Sequence, residues 1–365
     1  MNNIKTHKFK TIELPDIREV QNKEWVLFGV KNDFPQKVLD LFNGCAIHNT
    51  AIQAIRDGIV GEGIVYYGTD IVNRTGETLE KIYEKIVLDY LIFGGYSLNV
   101  IWNQEGTNWA ELYHLPFQNV RAEKPNNFEV VENYYYSKNW NLLNKNKPYK
   151  YPSYSTTKTQ DQYASQIYYC YEYSPGNIVY PLPYYRGALS DIELDIRISK
   201  FHNSNIANGL SPSLIINMRN GIPSPDEQQQ IYHDITETFT GEENAGRFFL
   251  NFCDVGKEMT IEPINSANDQ YYITLEQRIT SRILTAHRIT SPLLIGIREG
   301  TGFSSNKDEI IVSYGHLMGT VILPKQKVIL DSLSKIYGEN LIVNPSPIII
   351  DNETIETDEN ENTIN

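Results

Sequence analysis

One apolar pattern constrains this chain more than any other. Over 187–208, GALSDIELDIRISKFHNSNIAN, a helical rotation of about 100° per residue places Leu189, Ile192 and Ile196 on one stripe. Leu194, Ile198 and Phe201 fall on nearly the opposite stripe. A surface helix needs one apolar stripe, so a helix with two is expected to pack between two layers. Those layers are either other parts of this chain or the same helix in flanking copies.

Other helices are written around it. Residues 31–44 carry Pro35 near a first turn and Gly44 at the end, and 46–57 place Ile47, Ala51 and Ile55 on one face. Leu79, Ile82, Ile86, Tyr90 and Phe93 recur at spacings of three and four through 76–93. Residues 268–290 repeat that spacing with Tyr272, Leu275, Ile279, Ile283 and Ala286. A last helix is predicted from an N-cap at Ser305 with Asp308, through Ile310 and Val321 to Ile336, with Pro324 forcing a kink before Gly338.

Strand signals lie between. IVGEGIVYYG (59–68) reads as a hairpin; YSLNVIW (96–102), WAELYHL (109–115), FEVVENYYYS (128–137) and QIYYCYEY (166–173) read as strands rich in tyrosine and β-branched residues. Residues 141–166 are polar and aperiodic, a surface excursion. Between the two long helices, a strand at 213–221, a helix opened by the Ser224, Pro225, Glu227 capping pattern, and a strand in NAGRFFLNF predict a β-α-β unit over 210–263. ENLIVNPSPIIID supplies a final strand. The fold class is α+β.

The chain has 365 residues and a formal net charge of -13. Six of the negatives fall in the last fifteen residues, DNETIETDENENTIN, which hold no Lys or Arg, so residues 1–350 carry -7. That tail is expected to be disordered. Nucleic-acid affinity rests mainly on Lys and Arg against phosphates, so a tight, static DNA binder is excluded. Cys45, Cys170 and Cys253 form no CxxC pair, which fits a reducing compartment. No apolar signal core begins the chain and no stretch reaches the ~18–20 apolar residues of a membrane span, so synthesis in a cytoplasm is expected.

Local chemistry is sparse. GEENAGRF (241–248) spaces Gly241 and Gly246 like a phosphate loop but puts Arg247 and Phe248 where Lys and Ser or Thr are needed. GIVGEG (58–63) is better read as a turn than as a dinucleotide fingerprint. Asp191 and Asp195 stand one helical turn apart, with Arg197 and Lys200 nearby, which favours a solvated charged face over a catalytic pair. His202, His233 and His287 make no metal-binding pattern. No cofactor and no metal are expected, and no enzyme; the competing enzyme reading is a metal-dependent nuclease or nucleotidyl transferase on Asp191, Glu193, Asp195 and Asp269.

The motifs taken in order resemble a known family, the portal proteins of tailed bacteriophages of the HK97/SPP1-like type. KNDFPQKVLDLFNGCAIHNTAI, LPYYRGALSDIELDIRISKFHNSNIANGLSPSLII, FTGEENAGRFFLNF and ITSPLLIGIREGTGFSSNKDEI carry the likeness, and they span 31 to about 338. It departs from the family in having little chain beyond 350 for a crown, and no counterpart for 141–166.

The resemblance implies a portal fold and a dodecameric ring at one capsid vertex of the virion, assembled in the bacterial host cytoplasm, with no membrane. Its partners would be double-stranded DNA in the channel, the terminase large subunit, a head-tail adaptor and the major capsid protein. Carried over by position, 1–30 would be an N-terminal arm and 31–184 the wing. Residues 185–209 and 264–291 would be stem helices, and 210–263 the clip. Residues 292–306 would be the tunnel loop, 307–338 a kinked helix, 339–350 a wing strand and 351–365 the tail. Arg298, Glu299, Gly300, Thr301, Gly302, Ser304, Ser305 and Lys307 would face DNA, with Lys325 and Lys327 as further phosphate contacts. Leu189, Ile192, Leu194, Ile196, Ile198 and Phe201 would meet neighbouring subunits. The alternative is another virion structural component, such as a head-tail adaptor or minor capsid protein.

Overall fold

The structure is a computed structural model that describes residues 14–65, 71–156, 164–177, 179–207, 214–218, 223–239, 248–252, 269–297, 306–338 and 340–344. The described residues begin with a two-residue antiparallel ribbon, β1 (Ile17–Arg18) with β2 (Leu27–Phe28). Helix α1 (Phe34–Gly44) has Pro35 in its first turn and buries Phe34, Val38, Leu41 and Phe42. Cys45 alone separates it from α2 (Ala46–Val60), and the Cys45 Sγ accepts the His48 backbone N–H at 3.4 Å.

The predicted hairpin over 59–68 is corrected here. Ile59 and Val60 finish α2, and Gly61 turns the chain at a φ of 58°. A Cβ at Gly61 would lie 2.2 Å from the Asn344 carbonyl oxygen, so this crossing requires glycine. Strand β3 (Ile64–Val65) then pairs with β12 (Ile342–Val343), nearly the whole chain away. Gly58, read as part of a turn, lies inside α2 against Ile322.

Helix α3 (Leu79–Phe93) starts at Thr78, whose hydroxyl accepts the Lys81 N–H, and ends at Gly94 in the left-handed region. All five positions of its predicted stripe are buried, and its last turn is buried on every side. Its cover is a three-stranded antiparallel sheet with β4 (Gly95–Trp102) between β5 (Trp109–Leu115) and β9 (Ser165–Tyr171). Tyr96, Leu98 and Val100, two apart, are fully buried.

A second sheet runs β6 (Val120–Ala122), β7 (Asn133–Tyr136), β8 (Tyr149–Pro152). The strand predicted at 128–137 begins only at Asn133, because Asn126 Oδ1 accepts the backbone N–H groups of Phe128 and Val130 and bends 126–130 into a turn. Conversely, 141–166 is not merely an excursion: Tyr149 and Tyr151 register against Tyr136 and Tyr134 and form β8.

After a 3₁₀ turn at Arg186–Ala188 comes α4 (Leu189–Ala207). Next in the chain are β10 (Leu214–Met218), α5 (Pro225–Phe239) and β11 (Phe248–Phe252), and the two strands pair in parallel, as a β-α-β unit requires. The capping box is present: Glu227 Oε2 accepts the Ser224 backbone N–H at 2.9 Å, and Ser224 Oγ accepts the Glu227 N–H at 3.5 Å.

Helix α6 (Asp269–Ala286) runs antiparallel to α4, since Arg282 pairs with Asp191 at 3.2 Å and Glu276 with His202 at 3.5 Å. The final helix has three parts, α7 (Asn306–Leu317), a π-helical turn (Met318–Ile322) and α8 (Leu323–Tyr337). Pro324 has no N–H for the Thr320 carbonyl and its ring crowds that oxygen. The ladder widens in front of it, with the Leu323 N–H reaching back five residues to Met318. The expected kink is thus a π turn, and the helix ends at Gly338 as predicted. One hydrophobic core joins α1, α2, α3 and β4 to Leu189 and Ile192 of α4, to Ile279, Ile283 and Leu284 of α6, and to Ile329, Leu333 and Ile336 of α8.

Candidate functional site

The segment that joins α6 to α7 is held at both ends. Ser291 caps a short 3₁₀ turn, Pro292–Ile295, by accepting the Leu293 N–H at 3.3 Å, and its hydroxyl donates to Glu309 Oε1 on α7 at 2.7 Å. Ser291 is 1% exposed while Glu309 is exposed, so the tie is buried on its serine side alone. Gly296 follows at a φ of 80° in open space. The described ends of this segment therefore meet at one clamped point, Ser291 against Glu309. Of the predicted DNA-facing residues, Arg298, Glu299, Gly300, Thr301, Gly302, Ser304 and Ser305 lie outside the described residues. Lys307 is in the first turn of α7, and its side chain is also outside them.

The two further basic candidates separate. Lys327 is exposed, as a phosphate contact requires. Lys325 is turned inward: its Nζ lies 4.2 Å from the Tyr184 ring centroid and 5.3 Å from that of Tyr90, and 3.5 Å from Glu172 Oε2. Burial pulls its pKa down against the raising effect of Glu172. This lysine is an internal brace rather than a contact for a passing polyanion.

The two stripes of the long helix also resolve. Leu189 and Ile192 are buried in this chain's own core, and Ile198 is 9% exposed. Ile196 packs under α1, where a Cβ on Gly44 would come 2.8 Å from its Cδ1. Within this chain it is α1 and α6 that pack on these four residues. Leu194 and Phe201 remain, 38% and 46% exposed, and Ile273 of α6 joins them at 47%.

The acidic residues do not gather either. Asp191, placed by its spacing on a solvated face, is buried and held by Arg282, while Glu193 pairs with Arg197 at 2.6 Å. Asp195 faces the Cys45 thiol, whose pKa burial pushes up to about 12. The Asp269 side chain lies outside the described residues. Among the described residues no group of three or more His, Cys, Asp or Glu is placed to hold a metal ion, and no helix is long and apolar enough to cross a membrane.

One polar cluster was not foreseen. His48 Nδ1 lies 2.9 Å from His287 Nε2, and His287 Nδ1 lies 2.6 Å from the Tyr184 hydroxyl, with both histidines fully buried. His48 shares the apolar face of α2 with Ile52, Ile55 and Ile59, which is the one sequence signal for its burial. Its partner is 239 positions away and invisible to any local pattern.

No protein-family model matches the chain. An uncharacterized protein of Rickettsia bellii (strain RML369-C) is 26% identical over 263 residues, which is 70% of this chain and 61% of that protein's length. Among solved structures, a chain in the virion of the native gene transfer agent particle superposes with a TM-score of 0.56 at 15% identity, over 85% of this chain and 83% of the other. The chain shares its fold with a component of a gene-transfer-agent virion. A chain of the native gene transfer agent neck, computed with C12 symmetry, gives 0.53 at 14% identity over 87% and 85% of the two chains. An HK97-family phage portal protein from Corynebacterium diphtheriae superposes at a TM-score of 0.47 and 11% identity, over 84% of this chain and 94% of the other.

Proposed function

We propose that the chain is a phage-type portal protein. Twelve copies close into a ring at one capsid vertex, and double-stranded DNA is packaged and ejected through the central channel. The unit 210–263 meets the terminase large subunit and later the head-tail adaptor, and the 31–184 body faces the major capsid protein. The observation that carries this reading is the likeness of fold, over 85% of the chain, to a protein of a gene-transfer-agent virion. It coincides with the ordered motifs from 31 to 338.

Three local features support it. Leu194 and Phe201 of α4, with Ile273 of α6, leave apolar side chains on the outer side of the antiparallel pair, where a ring supplies a neighbour for every copy. The Ser291 to Glu309 tie fixes the two ends of a glycine-bearing bridge, as a loop that yields to passing DNA needs. The acidic balance suits a conduit, since a lining dense in Lys and Arg would grip each phosphate.

Sedimentation tests the contact surface. Wild-type protein is expected to sediment as a closed ring, and the double substitution Leu194→Asp, Phe201→Asp as a folded single copy, because each carboxylate would be buried without a partner. Full-size rings from the double variant would refute this placement of the interface.

A further inference from the structure

Five segments converge on the buried histidines. α2 brings His48, the turn after α6 brings His287 and Arg288, and the approach to α4 brings Tyr184 and Tyr185. α8 brings Lys325, and the stretch after β9 brings Glu172, whose Oε2 also accepts from Tyr90 of α3 at 3.4 Å. The His48 ring stands edge-on to Tyr185, with centroids 4.5 Å apart.

The hydrogens of this chain have two consistent arrangements. Either His48 Nδ1–H donates to His287 Nε2 and His287 Nδ1–H donates to Tyr184, or Tyr184 donates to His287 Nδ1 and His287 Nε2–H donates to His48 Nδ1. Neither has room for one more proton. His48 Nε2 is buried with no hydrogen-bond partner among the described residues, so a proton there meets no acceptor. A second cation on His287 would sit beside Lys325, while Glu172, the carboxylate of this cluster among the described residues, already serves that lysine. Burial holds His48 at about 3, and burial together with His48 and Lys325 holds His287 well below its ordinary range.

We propose that this joint is an acid-released latch between α2 and the end of α6: protons reach His48 and His287 only when it opens, so falling pH unfastens it locally. The sign follows from linkage. The closed joint binds no proton on either ring at pH values where an open one does, from about 6.5 downward, so each histidine favours opening up to about tenfold per pH unit. Among its described side chains α6 buries Ile279, Ile283 and Leu284 in the core, against Ala51, Ile52, Ile55 and Ile59 of α2, so the α6 side is the one suited to separate first.

Hydrogen exchange on the full chain tests it, corrected for the intrinsic pH dependence of exchange. Between pH 6 and 5, protection of the amides 283–289 is expected to fall by up to about 100-fold if both rings take up protons, while α3 and β4 keep theirs. In the double variant His48→Gln, His287→Gln, which retains hydrogen-bonding groups but does not titrate, that fall should vanish. An equal fall in the variant, or a fall spread evenly over α3 and β4, overturns the latch. Should the variant not fold, histidine-ring NMR of the wild type decides. Both rings must stay neutral until the 283–289 amides open, and a ring titrating near 6.5 with protection intact overturns it.

Discussion

α7 and α8 form one continuous helix, yet its two halves live in different surroundings. α8 buries Ile329 and Leu333 completely, braces Lys325 over Tyr184, and donates from Gln326 Nε2 to the Ile59 carbonyl at 2.9 Å. α7 buries Ser313 and Leu317 but leaves Ile310 at 40% and Val312 at 71% exposed. The π turn in front of Pro324 marks the border. α8 is anchored in the core by Ile329, Leu333 and Ile336 even though Leu323 and Val328 stay exposed, whereas among the described residues of α7 Leu317 is the buried apolar side chain.

The largest break of this comparison would come from packing. Leu333→Ala is expected to cost about 2–5 kcal/mol through the cavity it leaves, whereas Val312→Ala should stay within about 0.5 kcal/mol, with alanine's helix propensity in its favour. Denaturant unfolding of both variants, with assembly state held constant, measures the difference. Equal losses would mean that α7 is as firmly built into the chain as α8.

A smaller effect is expected with pH. His48 and His287 both have depressed pKa values in the folded state, so the stability they contribute is complete above about 6.5 and is lost as pH falls, for His48 down toward about 3. Each proton the unfolded chain takes up alone weakens folding by about 1.4 kcal/mol per pH unit. Thermal midpoints measured from pH 7 to 5 should therefore fall, and fall less in the double Gln variant. The smallest effect on stability should come from deleting Gly300 to Gly302, which lie in the sequence between Ser291 and Glu309. Unfolding and ring assembly are expected to be unchanged while DNA packaging in a complementation assay fails; unimpaired packaging would remove the loop from the mechanism.

Much of the fold was legible because it is periodic. The α3 stripe from Leu79 to Phe93, the Ser224 and Glu227 capping box, and the β-α-β unit follow from spacing alone. What escaped depends on partners distant in the chain. β3 finds β12 across some 280 positions, and β8 is recognisable only once Tyr134 is beside it. Asp191 and Lys325 carry charges that read as surface, yet Arg282 and two tyrosine rings draw them inward. The two-striped α4 packs as its pattern predicts, with α1 and α6 of the same chain against it and with Leu194 and Phe201 exposed.

Electron microscopy of the purified, full-length wild-type protein tests the central claim most directly. Ring-shaped particles with an open axial channel wide enough for duplex DNA are the predicted result. Solitary compact particles, or closed assemblies with no passage, would contradict it.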